Sequence, residues 1–355
     1  MIEPGGIIGI LGGGQLGRMT ALAAASLGYR CHIFCPEPNS PAMQVSSFAT
    51  VAAYDDERAL ARFADAVDVV TFEFENVPAA TAAILAKHRP VHPRPGILAI
   101  CQDRLKEKDF LRANGVATTA YRHITGVASL AAAMAEIGPR AILKTARLGY
   151  DGKGQVAVEK GDDLAAIWAA HRADDAILEA RVDFAGEISV VLARGADNEI
   201  ACYVPVENRH VNHILDTTIA PAVIDATLAR RADAIARGVV RALDLVGVLA
   251  VEMFVTKDGA VLVNELAPRP HNSGHWTIDA CITSQFEQLV RAVCGLPLGS
   301  PEAHSNAVMT NLIGGDVGKW RDAVADPTAK LHLYGKADAM PGRKMGHVTR
   351  LMPRR

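Results

Sequence analysis

Residues 248–265, VLAVEMFVTKDGAVLVNE, decide how the rest of the chain is read. Two β-type runs, Val248–Val255 and Ala260–Asn264, flank Lys257-Asp258-Gly259. Asp-Gly accepts the positive φ angles of a tight hairpin turn, so the two runs pair as neighbouring antiparallel strands. Glu252 lies inside the first run and Glu265 closes the second. The hairpin sets both on one face, side by side. A carboxylate in an apolar strand is costly to bury unless it is paired or binds a cation, and two adjacent carboxylates repel each other. With the Asn264 carbonyl they form a hard oxygen site of the kind that Mg²⁺ shares with nucleotide phosphates. The competing reading is a pair of salt-bridged strand acids.

Downstream, Ala267–Trp276 reads APRPHNSGHW. The His271–His275 spacing would suit zinc on a helix, but the prolines and Gly274 break any helix there. Arg269 and His271 on a loop beside a metal suit a small oxyanion better. Upstream, Asp225–Leu243 reads as a long helix. Before it, Ala141–Lys144, Gln155–Val158, Ala176–Glu179 and Glu187–Ala193 are short β-type runs, preceded by helical stretches Asp103–Asn114 and Ser129–Ile137. This texture is a small antiparallel α+β unit.

Gly149-Tyr150-Asp151-Gly152-Lys153-Gly154-Gln155 joins two of these β-type runs, so it is not the strand-to-helix loop of a P-loop. Such a hairpin can fold over phosphates, offering backbone N–H groups and one mobile charge, with Lys144 as a fixed second charge. An ordinary flexible hairpin fits the same residues. Glu179, in the run 176–182, could meet an adenine edge, and Glu187 could accept from ribose hydroxyls. Without context, solvent-facing glutamates are the simpler reading.

The N-terminal hundred residues alternate strand and helix: Ile7–Leu11, a helix Leu16–Leu27, then strands Arg30–Cys35 and Val67–Phe72. That is a parallel α/β sheet, ending where Pro90, Pro93, Pro95 and Gly96 interrupt it. Gly12-Gly13-Gly14-Gln15-Leu16-Gly17 satisfies G-x-G-x-x-G, and Glu37 follows about 20 residues later, as in a dinucleotide site. The motif says only that backbone can approach a ligand at a helix N-terminus. A nicotinamide cofactor, a sugar phosphate and a plain tight turn all remain open on it.

With 355 residues, half of them hydrophobic, the chain suits two or three globular domains. A formal net charge of −2 argues against nucleic-acid or membrane partners. Cys31 and Cys35 share one face of a strand with no second metal-ligand pair, so they read as buried thiols, and the scattered cysteines suit a reducing cytoplasm. The apolar N-terminal run lacks a basic flank and is too short to span a bilayer.

Taken together, these pieces describe ATP·Mg²⁺ held between small domains. The chain resembles the ATP-grasp superfamily over nearly its whole length and, within it, the N5-carboxyaminoimidazole ribonucleotide synthase family. The resemblance rests on GGGQLGRM (12–19), TFEFENV (71–77), QDRLKEK (102–108), GYDGKGQ (149–155), NELAPRPHNSGHW (264–276) and GRKMGHV (342–348). It implies an ATP-grasp fold, α/β and α+β, with an N-terminal parallel α/β domain at 1–100, a small lid-bearing domain at 101–183 and a C-terminal domain with the metal site at 184–355. It implies ATP- and bicarbonate-dependent carboxylation of the 5-amino group of aminoimidazole ribonucleotide through carboxyphosphate.

Carried over by motif, Arg104, Lys144 and Lys153 would contact phosphates, within an ATP site that includes Gly149, Gly152, Gly154, Gln155 and Asn264. Glu179, Ala180, Arg181 and Val182 would frame adenine, Glu187 the ribose and His210 the nucleotide edge. Glu252 and Glu265 would hold Mg²⁺. Arg269 and His271 would orient bicarbonate, with Tyr150 and Asp151 near the acceptor. Gln15, Leu16 and Glu73 would bind the ribonucleotide, and Lys344 and Arg350 its phosphate. The first glycine loop would then serve the substrate instead of NAD. Ala146, and the plain run 337–340, depart from the family pattern at positions without a carried-over role. The resemblance further implies a homodimer through the first domain and, since no room is left for a fused mutase domain, a separate mutase. A formate-using glycinamide ribonucleotide transformylase is the nearest alternative. A nicotinamide oxidoreductase and a non-catalytic nucleotide sensor are more distant ones.

Overall fold

The computed structural model describes residues 1–149, 152–172 and 174–354. Three sheets follow one another along the chain. The first is parallel, in the order β3-β2-β1-β4, from β1 (Ile7–Leu11), β2 (Arg30–Cys35), β3 (Phe48–Val51) and β4 (Val69–Phe72). Helices α1 (Gln15–Ser26), α2 (Glu57–Asp65), α3 (Ala79–Leu85) and α4 (Pro95–Cys101) complete this region. β1, β2 and β4 are almost wholly buried, as parallel strands covered on both faces must be. Cys31 and Cys35 are free, buried thiols on β2. β3, a short and largely exposed edge strand, and α2, a helix capped by Asp56, are additional to the elements expected from sequence. Pro95 does not break structure but starts α4, at a position where a missing N–H is harmless.

The second sheet is antiparallel, as its texture suggested. After α5 (Arg104–Ala113), strands β5 (Tyr121–Ile124), β6 (Arg140–Thr145), β7 (Gln155–Glu159) and β8 (Ala176–Ala180) pair in the order β5-β8-β6-β7. Helices α6 (Val127–Ile137) and α7 (Leu164–His171) cover it through Leu130, Ala133, Ile167 and Trp168.

Nine strands make the third sheet: β9 (Phe184–Arg194), β10 (Ile200–Cys202), β11 (Val206–Val211), β12 (Ile214–Ala220), β13 (Gly247–Thr256), β14 (Val261–Ala267), β15 (Asn306–Ile313), β16 (Ala329–Leu333) and β17 (Lys344–Met352). Their order is β14-β13-β9-β11-β12-β15-β17-β16, with β10 on β9. Helix α8 (Ala226–Ala242) packs Ala232, Ala236, Val239 and Val240 against it. After the short α9 (Thr277–Ala280), helix α10 (Gln285–Cys294) sits between β9, β13 and α1, tying this sheet to the first; α11 (Trp320–Ala325) backs β16. Among the described residues no helix is long and apolar enough to cross a membrane.

Candidate active site

The β13–β14 ladder places Glu252 directly opposite Glu265, with a bulge immediately after Glu252. Glu252 meets His271 and Glu265 lines a small pocket with Glu75, Arg104 and Gly149, and their side chains remain 22% and 38% exposed. Burial and the charges of Glu252 and Glu75 push the Glu265 carboxyl up, against the pull of Arg104 at 3.8 Å. At Glu252 burial also acts upward, but His271, His210 and Lys344 hold it down to about 2. Two facing carboxylates, with the charge of Glu252 raising the proton affinity of Glu265, are a donor set that a hard divalent cation would relieve. The Asn264 backbone carbonyl turns elsewhere and accepts from Lys108 Nζ at 2.8 Å.

Next to this pair lies a buried ion cluster. Lys144 on β6 lies 3.1 Å from Glu179 Oε2, and Lys108 reaches the same oxygen at 3.7 Å. Thr119 Oγ1 donates to it as well. Burial alone would raise the Glu179 carboxyl, yet the two lysines hold it at about 2. Glu179 is therefore an anchor for cations, with its carboxylate turned inward at 3% exposure. Lys108, 1% exposed, also donates to Thr118 Oγ1. Next to it, Glu107 accepts the Leu266 N–H at 2.7 Å; burial and the Glu265 charge push its carboxyl up to about 8. These two α5 residues thus grip the backbone on both sides of Glu265.

Arg104, the first residue of α5, donates to the Gly149 carbonyl at 2.8 Å and ties the glycine hairpin to this cluster. The hairpin lies over the β11–β12 turn. Gly152 has φ +77°, and a Cβ there would come within 2.6 Å of His213, so the close approach needs glycine. Gln155 Nε2 lies 3.5 Å from His213 Nδ1. Gly154 also has positive φ, at +73°, and Lys153 lies between the two glycines. Tyr150 and Asp151 lie outside the described residues. Ala180 ends β8, and Arg181 and Val182 begin the short link to β9 that joins the two antiparallel sheets. Glu187 on β9 and His210 on β11 meet at 3.0 Å, Glu187 raising the imidazole's proton affinity against the effect of burial.

Beyond the Glu252–Glu265 pair, Arg269 Nη2 pairs with Glu75 Oε2 at 2.8 Å. His271 Nε2 lies 3.0 Å from Glu252 Oε1, which makes His271 the direct link between the glutamate pair and the loop after β14. The first glycine loop sits beyond. Glu73 fills it: Gly14 N–H donates to Oε1 at 2.8 Å and Gly17 N–H lies 3.4 Å from Oε2. A Cβ on Gly12, whose φ is +104°, would meet Glu73 at 2.6 Å. The anion place at the α1 N-terminus is thus occupied by the protein's own carboxylate, which leaves no room for a dinucleotide pyrophosphate. Gln15 begins α1, and the Leu16 side chain packs with Met19, Phe286 and Tyr334.

Lys344 begins β17 within electrostatic reach of Glu252 and His210. Arg350 is not brought to this cluster. It lies six residues further along the same strand, roughly 20 Å away at strand rise, and pairs with Asp326 at 3.0 Å. Glu107, Lys108 and Glu75 escaped the sequence reading. Glu75 was the most accessible of them, two residues beyond Glu73 in the same motif, in the turn after β4.

Three family models match successive parts of the chain: a ribonucleotide synthetase preATP-grasp domain over residues 6–102, an ATP-grasp domain over 109–286 and a phosphoribosylaminoimidazole carboxylase C-terminal domain over 307–355. The chain is 50% identical to the N5-carboxyaminoimidazole ribonucleotide synthase of Brucella melitensis, covering 99% of this chain and 98% of the relative. It is 41% identical to the enzyme of the same name from Bacillus subtilis, over 98% and 92%. Among solved structures, an N5-carboxyaminoimidazole ribonucleotide synthetase in complex with ADP matches with a TM-score of 0.96 at 44% identity, over 100% and 94% of the chains. The synthase of Aspergillus clavatus, in complex with ADP and 5-aminoimidazole ribonucleotide, matches with a TM-score of 0.93 at 31% identity, over 99% and 94%.

Proposed function

The chain belongs to the N5-carboxyaminoimidazole ribonucleotide synthase family of ATP-grasp ligases, and from that premise we propose how its residues divide the work. The activity is the ATP-dependent conversion of 5-aminoimidazole ribonucleotide to N5-carboxyaminoimidazole ribonucleotide in purine biosynthesis. The carboxyl group comes from bicarbonate. One bicarbonate oxygen attacks the γ-phosphorus, the bond to the bridging oxygen of ADP breaks, and carboxyphosphate forms. Carboxyphosphate then yields CO₂ and phosphate beside the 5-amino group, the N–C bond forms and the amine gives up a proton.

The observation that carries this reading is the 3.0 Å contact of His271 with Glu252. It joins a nucleotide half, with Arg104, Lys144, Lys153 and the run 179–182, to an oxyanion half, with Arg269 and His271. Lys144 and Arg104 hold positive charge where the γ-phosphoryl group would sit, both oriented by bonds to the protein and so preorganised. Glu187 would face the ribose and His210 the nucleotide edge. Arg269, held by Glu75, keeps donors for a planar carboxylate. Glu252 and Glu265 would hold Mg²⁺, with Asn264 adjacent; the ion would supply charge neutralisation at the transferring phosphoryl group. The glycine hairpin 149–155 would close over carboxyphosphate and exclude water. Tyr150 and Asp151 would meet the acceptor, while Gln15, Leu16, Glu73 and Lys344 would bind the ribonucleotide. Exposed Leu22, Phe48 and Val51 on α1 and the edge strand β3 support a homodimer through the first domain. A separate mutase acting next and a cytoplasmic location complete the proposal; six free cysteines support the latter.

The test is ADP release measured with each acyl donor and acceptor. Release that requires both aminoimidazole ribonucleotide and bicarbonate is expected. Stimulation by formate with glycinamide ribonucleotide would overturn the assignment of the carboxyl donor.

A further inference from the structure

His271 is held from below by a buried line of hydrogen bonds that crosses three strands. Thr218 Oγ1 on β12 donates to Asn208 Oδ1 on β11 at 3.0 Å. Asn208 Nδ2 donates to Ser189 Oγ on β9 at 2.9 Å, and Ser189 Oγ donates to Ser273 Oγ at 2.7 Å. Ser273 Oγ lies 2.9 Å from His271 Nδ1. Thr218, Ser189 and Ser273 have no exposed surface and Asn208 only 6%.

The line has one direction. An amide NH₂ can only donate, so Ser189 accepts from Asn208 and must spend its single proton on Ser273. Ser273 accepts there and has its own proton left for His271 Nδ1. The Ser273 backbone N–H also points at Nδ1, at 3.3 Å. Two donors converge on one ring nitrogen, which must present its lone pair, so the ring proton sits on Nε2. That is the nitrogen facing Glu252 and the oxyanion half of the site.

The backbone around the ring is fixed as well. Gln285 accepts the His271 N–H at 2.9 Å and donates to its carbonyl at 2.8 Å. Asn272 and Asn311 exchange side-chain amide bonds at 2.9 and 2.7 Å.

We propose that the Thr218–Asn208–Ser189–Ser273 line sets the tautomer of His271, so that Nε2 keeps the proton, directed at Glu252 in the unliganded site and offered to bicarbonate and to the carboxyl end of carboxyphosphate when they bind. Asn208, Ser189 and Ser273 are then positioning residues for carboxylation, acting through His271 without touching substrate. A neutral imidazole with the opposite tautomer would turn a lone pair toward an anionic oxygen. The inference rests on the assignment of His271 to the oxyanion given above.

The test uses full-length enzyme labelled with ¹⁵N-histidine, with the His271 signals identified by their loss in His271→Gln. In the unliganded protein, Nδ1 is expected to read as an unprotonated nitrogen and Nε2 as N–H. Asn208→Asp keeps the size but removes the donor. Ser189 then donates to the new carboxylate and Ser273 to Ser189, so protonated Nδ1 appears. The bicarbonate KM should rise about tenfold, the worth of one hydrogen bond, with the ATP KM unchanged. Should the buried carboxylate prevent folding, Ser273→Ala removes the hydroxyl donor and Ser273→Thr restores it, and the bicarbonate KM should rise in the first and recover in the second. A proton on Nδ1 in the wild type, or Asn208→Asp folding without a tautomer change, overturns the proposal. So does a bicarbonate KM that stays put in Ser273→Ala. Because the nitrogen signals are read without substrate, they stand or fall apart from the identity of the carboxyl donor.

Discussion

Replacing Glu265 with Gln exchanges one oxygen for an NH₂ group and removes one charge, and the two consequences have opposite signs. In the unliganded protein Glu265 faces Glu252 across β13–β14. Directly opposed side chains of an antiparallel pair come within about 5 Å, where two charges repel by about 3 kcal/mol at an effective dielectric of about 20. The Glu265 side chain is 38% exposed, so water screens much of this. A gain of about 1 kcal/mol on neutralisation is the realistic figure. The attraction to Arg104 that is lost, at 3.8 Å in the same pocket, is worth about 0.5 kcal/mol. Unliganded Glu265→Gln should therefore melt within about 2 °C of wild type, at or above it. With ligand the order reverses. ADP·Mg²⁺ at about 100 times its Kd stabilises the wild type by about 2.7 kcal/mol. An amide in place of an anionic ligand should forfeit the Mg²⁺-dependent share of this, and turnover should fall by about 10²–10³. Thermal unfolding with ADP, with and without Mg²⁺, reads the first effect, and ADP release reads the second. An unchanged Mg²⁺-dependent rise in Tm removes Glu265 from the metal site. A loss of several kcal/mol without ligand instead makes it one arm of a structural ion pair.

Glu179→Gln tests the buried cation anchor. The Glu179 carboxyl sits at about 2 in the fold against 4.5 for the free group. Its contribution is therefore complete above pH 4.5 and disappears as pH falls from there toward about 2. The variant should be about 3 kcal/mol less stable at pH 7, as when one partner of a buried pair is removed, and the difference should close across that acid window in urea titrations. A gap that does not narrow with acid refutes the charge-based account. Arg269→Lys keeps the charge but cannot hold Glu75 and a planar carboxylate together. It should lower kcat/KM for bicarbonate by about 10² and leave ADP binding, followed by calorimetry, unchanged; weakened ADP binding would place Arg269 on the nucleotide side.

How much of this could be read in the chain depended on the range of each interaction. The hairpin register of Glu252 and Glu265 was legible because the turn that sets it, Lys257-Asp258-Gly259, is local. So were the limits of β1, β2 and α8, and the antiparallel character of β6–β8, each a matter of periodicity and caps; β5 was not, and the run Glu187–Ala193 expected beside them is β9 of the third sheet. The strands β15–β17 were not. β15 pairs with β12, Thr310 against Thr217, and nothing near either residue announces a partner more than ninety positions away. Burial of charge was equally invisible. Glu107 and Lys108 stand in a strongly charged run, RLKEKDFLRA, whose natural reading is a solvated helix face. Only the approach of β14 turns them inward, where they grip the carbonyl of Asn264 and the N–H of Leu266.

The glycine fingerprint at 12–17 marks a deeper limit. Its spacing fixed correctly that backbone N–H groups converge at the start of a helix, and that side chains are excluded there. What fills such a place is decided elsewhere. Here the filler is Glu73, carried in by the turn after β4, sixty residues downstream, and accepting from Gly14 and Gly17. Its carboxyl is pushed up by burial and drawn back by those two N–H bonds and by Arg269 and Lys336. The loop that would cradle a pyrophosphate in a dehydrogenase therefore holds an acid that itself feels the cations Arg269 and Lys336. A motif of donors specifies an anion, and whether that anion belongs to a cofactor or to the protein depends on residues the motif does not contain.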